Sequence, residues 1–253
     1  MAKGRIPAQQ LKHDPLMDQY VKSRTWVEGR SRPLLTGLVI AAVAVAAVLV
    51  FRFVSSSRAS AAGEALAEAF RVNDAVVSNP LPPNPTGYAY ATEDEKHRRA
   101  FEAFEKAARD YPSYHGDLAR YFAATHQLYF DAPKAEATLK EISQQNSQVA
   151  PQARLALAER YATTGRSQEA LDEFQKLKAK PGNMPAALVD FHLAQVYEAM
   201  GKTQEAAELY FNIANQDRSS PVGTASVNRL VEIDPARIEK LPALAPINPV
   251  APR

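Results

Sequence analysis

The sequence LAERYATTGRSQEALDEFQKL at residues 157–177 is matched in pattern, 36 residues later, by LAQVYEAMGKTQEAAELYFNI at residues 193–213. Each copy places a Leu-Ala pair and a Tyr before a Gly, and an Ala, an aromatic residue and an aliphatic residue after it. A chance match at so many equivalent positions is improbable. The two sets are Leu157, Ala158, Tyr161, Gly165, Ala170, Phe174 and Leu177, and Leu193, Ala194, Tyr197, Gly201, Ala206, Tyr210 and Ile213. The apolar spacing predicts two amphipathic helices in each copy.

The turn between the two helices is also repeated. We expect Gly165 and Gly201 to end the first helix in a left-handed conformation. Ser167 and Thr203 are then predicted to cap the second helix. The pattern resembles the tetratricopeptide repeat, whose usual period is 34 residues. The two additional residues fall in the turn at 181–185, where insertions are tolerated.

Two weaker hairpins precede these repeats. The first is predicted to have a helix at 58–78, an extended Pro-rich loop at 79–85, and a helix capped by Thr92 with Glu95. The second is predicted to have one helix that runs through Leu128 and another that follows a break at 131–133. Ser220 and Pro221 begin a final capping helix. The repeat domain is therefore assigned to residues 58–235, and the Pro-rich tail at 236–253 is expected to be disordered.

An apolar stretch precedes the repeats. The 18 residues from Leu34 to Phe51 contain no charged side chain, and apolar residues continue after Arg52 to Val54. At about 1.5 Å per residue the segment spans about 31 Å, so residues 34–54 are predicted to form one transmembrane helix. A buried helix of a soluble protein is the first alternative, but the stretch has no polar face. A cleavable signal peptide is the second, but 33 residues precede the stretch.

Charge is divided unevenly along the chain. The formal balance is +6 in residues 1–58 and −4 in residues 59–253, although the whole chain has +2. The positive-inside rule predicts that the basic tail at 1–33 is cytoplasmic and that the repeat domain lies on the other side of the membrane. The acidic balance of that domain argues against nucleic acid as a partner.

The sequence contains no pattern typical of an enzyme. The chain has no Cys, which excludes disulfides, thiol catalysis and Cys-ligated zinc. His115 and His126 could share a helix face, but no third ligand has a helical spacing, so we interpret both as packing or solvated residues. No phosphate loop or nucleophile elbow is present. We therefore expect no catalytic residues, no cofactor, no metal and no small-molecule substrate, and interpret the chain as a protein-protein interaction scaffold.

The partner is expected on the first helices of successive hairpins, which line the concave face of a tetratricopeptide solenoid. Aligning the repeats predicts a mixed apolar and polar surface that suits a partner helix or an extended segment. Phe191 is the expected anchor, because aromatic side chains bury the largest area. The alternative is that Leu155 and Phe191 pack against the neighbouring repeat. The predicted partner-binding set is Arg120, Gln152, Leu155, Glu159, Phe191, Gln195 and Glu198.

The order of these parts resembles the bacterial YfgM-type family, the ancillary subunits of the SecYEG translocon, over roughly residues 20–235. The shared features are a short cytosolic tail, one anchor, a helix that leads directly into the repeats, and a capping helix that begins at Ser220-Pro221. The resemblance implies an inner-membrane protein with a periplasmic domain that contacts Sec translocon subunits, periplasmic chaperones or client polypeptides. Alternatives are an envelope scaffold in cell division or outer-membrane assembly and, less in keeping with the residues, an enzyme.

Overall fold

The computed structural model describes residues 31–242, together with Gln19, Tyr20 and Lys22. The fold is all-α apart from two short strands. The elements are α1 (Ser31–Asn73), β1 (Val76–Val77), β2 (Ala89–Tyr90), α2 (Glu93–Asp110), α3 (Gly116–Gln127), α4 (Ala132–Gln144), α5 (Ala150–Thr163), α6 (Ser167–Ala179), α7 (Ala186–Ala199), α8 (Thr203–Gln216), α9 (Pro221–Ile233) and a 3-10 helix (Pro235–Lys240). The chain divides into two compact units, residues 1–60 and 61–253.

Helix α1 carries the apolar stretch. By length and composition it is long and apolar enough to cross a membrane, and none of its apolar stretch is buried within the described chain. The structure has one helix from Ser31 to Asn73 where the sequence predicted a transmembrane helix at 34–54 and a second helix at 58–78. No Gly or Pro interrupts the Ser-rich segment 55–60, so the backbone has no reason to break there. Most of the basic tail lies outside the described residues.

The predicted end of that second helix at residue 78 is wrong. Helix α1 ends at Asn73, and Val76–Val77 forms β1, which pairs in parallel with Ala89–Tyr90 of β2. The β-branched pair favours an extended backbone, and the Pro-rich residues that follow cannot continue a helix. The strand pair closes the predicted Pro-rich loop, because Val76 donates to the Tyr88 carbonyl and Ser78 to the Tyr90 carbonyl.

The second unit is a solenoid of helical hairpins. Helices α5 and α6 form the first of the two clearest repeats, and α7 and α8 form the second. Ala158, Ala170, Ala194 and Ala206 are fully buried, so the paired helices approach each other closely. The hairpin of α3 and α4 precedes them. Residues of α1 beyond Ala61 pack with α2 and α3 around Phe104.

Local signals at the helix ends were confirmed in most cases. Gly165 and Gly201 have φ values of 76° and 74°, as a left-handed helix end requires. The Thr92 side chain accepts a hydrogen bond from the Glu95 backbone, and Ser220 accepts one from the Gly223 backbone. The Asp131 side chain caps α4 in the same way.

The predicted caps Ser167 and Thr203 are wrong. Arg166 and Lys202 occupy the N-cap positions, neither makes a side-chain capping bond, and Ser167 and Thr203 are the first helical residues. The cause is the glycine turn. Arg166 N–H already bonds to the carbonyl of Tyr161, so its own backbone is set at the start of the next helix.

The C-terminal end is more ordered than predicted. Residues 235–240 form a 3-10 helix where the sequence suggested that a disordered tail begins at 236. Leu241 is 8% exposed and packs with Leu230 and Tyr210, because Ile238 and Leu241 cover the last apolar face of the solenoid. Residues 243–253, the rest of the predicted tail, lie outside the described residues.

Candidate protein-binding groove

A groove runs along the first helices of successive hairpins. One cavity of about 630 Å³ is lined mainly by α3 and α5, and also by Asn73 and His97. A second cavity of about 470 Å³ is lined by α5, α6 and α7. Both cavities are lined by Glu159 and Thr163, so they adjoin on α5 and form one groove across two repeats.

Equivalent positions of the two repeats face this groove. Ala156, Glu159 and Thr163 on α5 are spaced three and four residues apart, which places them on one helix face. His192, Gln195 and Ala199 on α7 lie 36 residues later and line the same groove. Residues at equivalent positions of the two repeats therefore line the same groove. Glu159 and Gln195 are the equivalent polar residues at the middle of each set.

Glu159 lies at the centre of the groove. Its carboxylate oxygen Oε1 is 3.6 Å from Nε2 of His192 on the next repeat. The His192 ring stacks on Phe174, with centroids 5.4 Å apart and planes at 5°, so the imidazole is held in place. On the opposite side, burial first and then the Glu159 charge raise the pKa of Tyr121. The carboxylate thus interacts with residues of both neighbouring hairpins.

The structure places some residues of the predicted partner-binding set in the groove and others in contacts between helices. Glu159 and Gln195 line the groove. Leu155 and Phe191, one position before the groove-facing residues Ala156 and His192, are half-buried and pack against neighbouring helices. Phe191 lies edge-to-face on Tyr210 at 5.4 Å, which corresponds to the packing alternative that the sequence left open.

The remaining predicted residues have other contacts. Glu198 forms an ion pair with Arg229 of α9 and accepts a hydrogen bond from the Tyr210 hydroxyl at 3.2 Å. Arg120 pairs with Glu141 of α4 at 2.9 Å and lines a separate cavity beside α2. Gln152 lies half-buried in the first turn of α5. We therefore place the groove on the positions one residue after the predicted apolar ones, a shift that the 36-residue spacing could not have indicated because Leu155 and Phe191 share it.

A histidine pair forms one wall of the groove. Nδ1 of His97 on α2 is 2.9 Å from Nδ1 of His126 on α3, so one ring donates a hydrogen bond to the other. The His97 ring stacks on Tyr129 at 3.4 Å, and the His126 ring stacks on Phe104 at 5.7 Å. Burial lowers the pKa of His126 to about 4, and the neighbouring His97 adds to the effect. Both rings are therefore neutral near pH 7, and His126 is a packing residue as the sequence suggested.

A half-buried ion cluster links α4 to α5 and to the turn that follows α5. Glu136 of α4 accepts from Arg166 Nη2 at 2.6 Å and from Arg160 Nε at 3.2 Å. The hydrogen bond from Arg166 and then that from Arg160 lower the pKa of Glu136. The Arg166 guanidinium also lies over the Tyr161 ring, 4.2 Å from its centroid. The Arg160 guanidinium is thus bonded to Glu136, although part of the Arg160 side chain lines the groove.

Within the described chain, no group of three or more His, Asp or Glu side chains is placed to hold a metal ion. The described lining of the groove offers apolar walls, hydroxyl, amide and imidazole groups, the Arg160 guanidinium and one carboxylate. These are groups that recognise a polypeptide by contact area and a few polar bonds.

The described residues form an all-α solenoid of tetratricopeptide-type hairpins. No protein-family model matches the chain, and no curated protein matches it either. Among solved structures it is similar to two crystal structures of nearly identical TPR-like repeats from a Podosopora anserina protein described as a kinesin light chain, one of them a Q17M variant. They are 18% and 19% identical, each match covers 58% of this chain and 82% of the other, and the TM-score is 0.46 in both cases. A likeness of this size carries no argument about function, and the repeat fold stands on the helices and turns of this chain.

Proposed function

We propose that the chain is a non-catalytic, membrane-anchored scaffold that binds polypeptides in the groove across α3, α5 and α7. The observation that carries the proposal is the repeated lining, because positions 36 residues apart open onto one continuous surface. The groove is walled by the faces of α3, α5 and α7, and the Glu136 cluster ties α5 to α4, which favours a groove that is preorganised for a partner.

The proposed anchor is the apolar segment 34–54 of α1. Its lack of burial is consistent with lipid as its surroundings, and the +6 balance of residues 1–58 supports a cytoplasmic N-terminus. In this arrangement the groove lies in the periplasm. The order of tail, anchor and repeats supports a role at the Sec translocon, where the groove would receive translocon subunits, periplasmic chaperones or emerging clients.

Site-specific crosslinking tests the groove and the partner together. A photo-crosslinking amino acid replaces Gln195, which is exposed in the groove, or Lys176, which is exposed on α6 outside the groove lining. We expect adducts with translocon subunits, chaperones or secreted polypeptides from position 195 and a marked reduction from position 176. Equal adducts from both positions would refute the groove. Adducts only with cell-division or outer-membrane assembly proteins would replace the translocon role.

Protease protection tests the orientation. Protease added to intact spheroplasts should degrade the repeat domain and spare an epitope at the N-terminus. The same epitope becomes accessible only after detergent lysis. A repeat domain that survives until lysis would reverse the proposed topology.

A further inference from the structure

The groove has one carboxylate, that of Glu159, among the described residues that line it. Of the described residues that line the two cavities, Glu159 and Arg160 have fully charged side chains at neutral pH. The Arg160 guanidinium is bonded through Nε to Glu136, which is 17% exposed and also pairs with Arg166, so it is held against α4. Glu159 is 48% exposed, and the one ion-pair contact that the described residues give it is His192 at 3.6 Å.

His192 leaves part of the Glu159 carboxylate open. Its Nε2 lies 3.6 Å from Oε1, and its ring is held in the stack on Phe174. The two oxygens of a carboxylate offer about four lone-pair sites, and Glu159 is 48% exposed. Glu159 can therefore accept a further hydrogen bond from a cation in the groove.

Apolar surface continues on both sides of this carboxylate. Tyr121, Leu128 and Ala156 line the larger cavity, and Ala162, Phe174 and Val196 line the smaller one. A small cation would leave these walls exposed to water. An occupant that fills both cavities has to extend along the groove and carry apolar groups before and after its cationic group.

We propose that the groove selects a segment of a partner polypeptide in which a Lys or Arg side chain, bound by Glu159, is flanked on both sides by apolar side chains. This inference rests on the proposed function, because it names the chemistry of the polypeptide that the groove receives. The partner ammonium or guanidinium pairs with the carboxylate in a partly dehydrated site, and its neighbours fill the two cavities.

The test uses the full chain in lipid nanodiscs and a phage library of random dodecapeptides, counter-selected on empty nanodiscs. We expect the selected peptides to be enriched in Lys or Arg with apolar residues on both sides. Their Kd should rise at least tenfold on Glu159→Gln and should rise with salt concentration. Glu208→Gln, the same change at an exposed position of α8, is the matched control and should leave Kd unchanged.

A second variant separates this inference from the groove itself. Ala199→Trp fills the smaller cavity without touching the charge. The charge-based selection would be overturned if peptide binding is lost with Ala199→Trp but unaffected by Glu159→Gln. It would also be overturned if the selected peptides show no enrichment in Lys or Arg. Either result would leave the groove as the binding site. If both variants bind the selected peptides with the parent Kd, or if the library yields no binder, the proposed function and this inference are both overturned.

Discussion

Acid should loosen the packing of α2 against α3 through the histidine pair. His126 is 7% exposed, and its Nδ1 lies 2.9 Å from that of His97. Burial and then His97 lower its pKa from 6.5 to about 4. The folded chain therefore binds fewer protons than the unfolded chain between these values, so stability is complete above pH 6.5 and is lost as the pH falls toward 4.

The magnitude follows from the size of the pKa shift. A difference of about 2.5 units corresponds to at most about 3 kcal/mol, of which about 2–3 kcal/mol should be lost between pH 7.5 and pH 4.5. The charges around the pair oppose each other. Lys96 disfavours protonation of both rings, while Glu93, 3.9 Å from Nε2 of His97, favours it for His97. Glu159 and Arg160 of α5 line the same cavity.

The measurement is the free energy of unfolding by urea, followed by circular dichroism of the full chain in detergent micelles at pH 7.5 and pH 4.5. His126→Phe removes the titrating group and keeps the stack on Phe104, so it should lose markedly less free energy over this range than the parent. Hydrogen exchange of amides in α2 and α3 should show the acid effect in these helices.

Two further variants serve as controls. His126→Gln keeps a neutral hydrogen-bonding side chain in case Phe prevents folding. His115→Asn removes an exposed histidine whose φ of 60° Asn tolerates, and should leave the acid loss unchanged. If the parent and both His126 variants lose the same free energy between the two pH values, the buried pair is not the origin of the acid sensitivity.

Three other predictions concern stability, each measured as the change in thermal or urea unfolding. Gly223→Ala should cost about 3 kcal/mol or more, because a Cβ there would lie 1.9 Å from the Asp217 carbonyl oxygen. The control Gly63→Ala, whose Cβ would meet nothing within 4 Å, should stabilise α1 by about 0.5–1 kcal/mol, and equal effects of the two changes would refute the close contact. Ala158→Leu or Ala194→Leu should overpack a helix crossing and cost about 1–3 kcal/mol, and parent-like melting would mean that the register is wrong. Phe191→Ala should cost about 2 kcal/mol through lost packing on Tyr210, and loss of partner capture without loss of stability would restore Phe191 as a binding anchor.

The local features of this protein were readable from its sequence. The apolar segment of α1, the repeated hairpins, the left-handed Gly165 and Gly201, and the caps at Thr92 and Ser220 depend on residues within a few positions of each other. Backbone conformation and helix periodicity fix such features before any long-range contact forms. Two errors arose where a single position decided the outcome, because Ser167 and Thr203 follow turns whose backbone is already set by the preceding glycine.

The groove was decided by tertiary structure. Whether Leu155 or Ala156 faces outward depends on how far α5 rotates against its neighbours, and an alignment of repeats does not fix that rotation. Glu198 was predicted on the same surface as Glu159, yet it pairs with Arg229, which lies 31 residues later. His97 and His126 come within 2.9 Å only because α2 packs on α3. Sequence determined which residues repeat, and the packing of helices far apart in the chain determined which of them remain free to meet a partner.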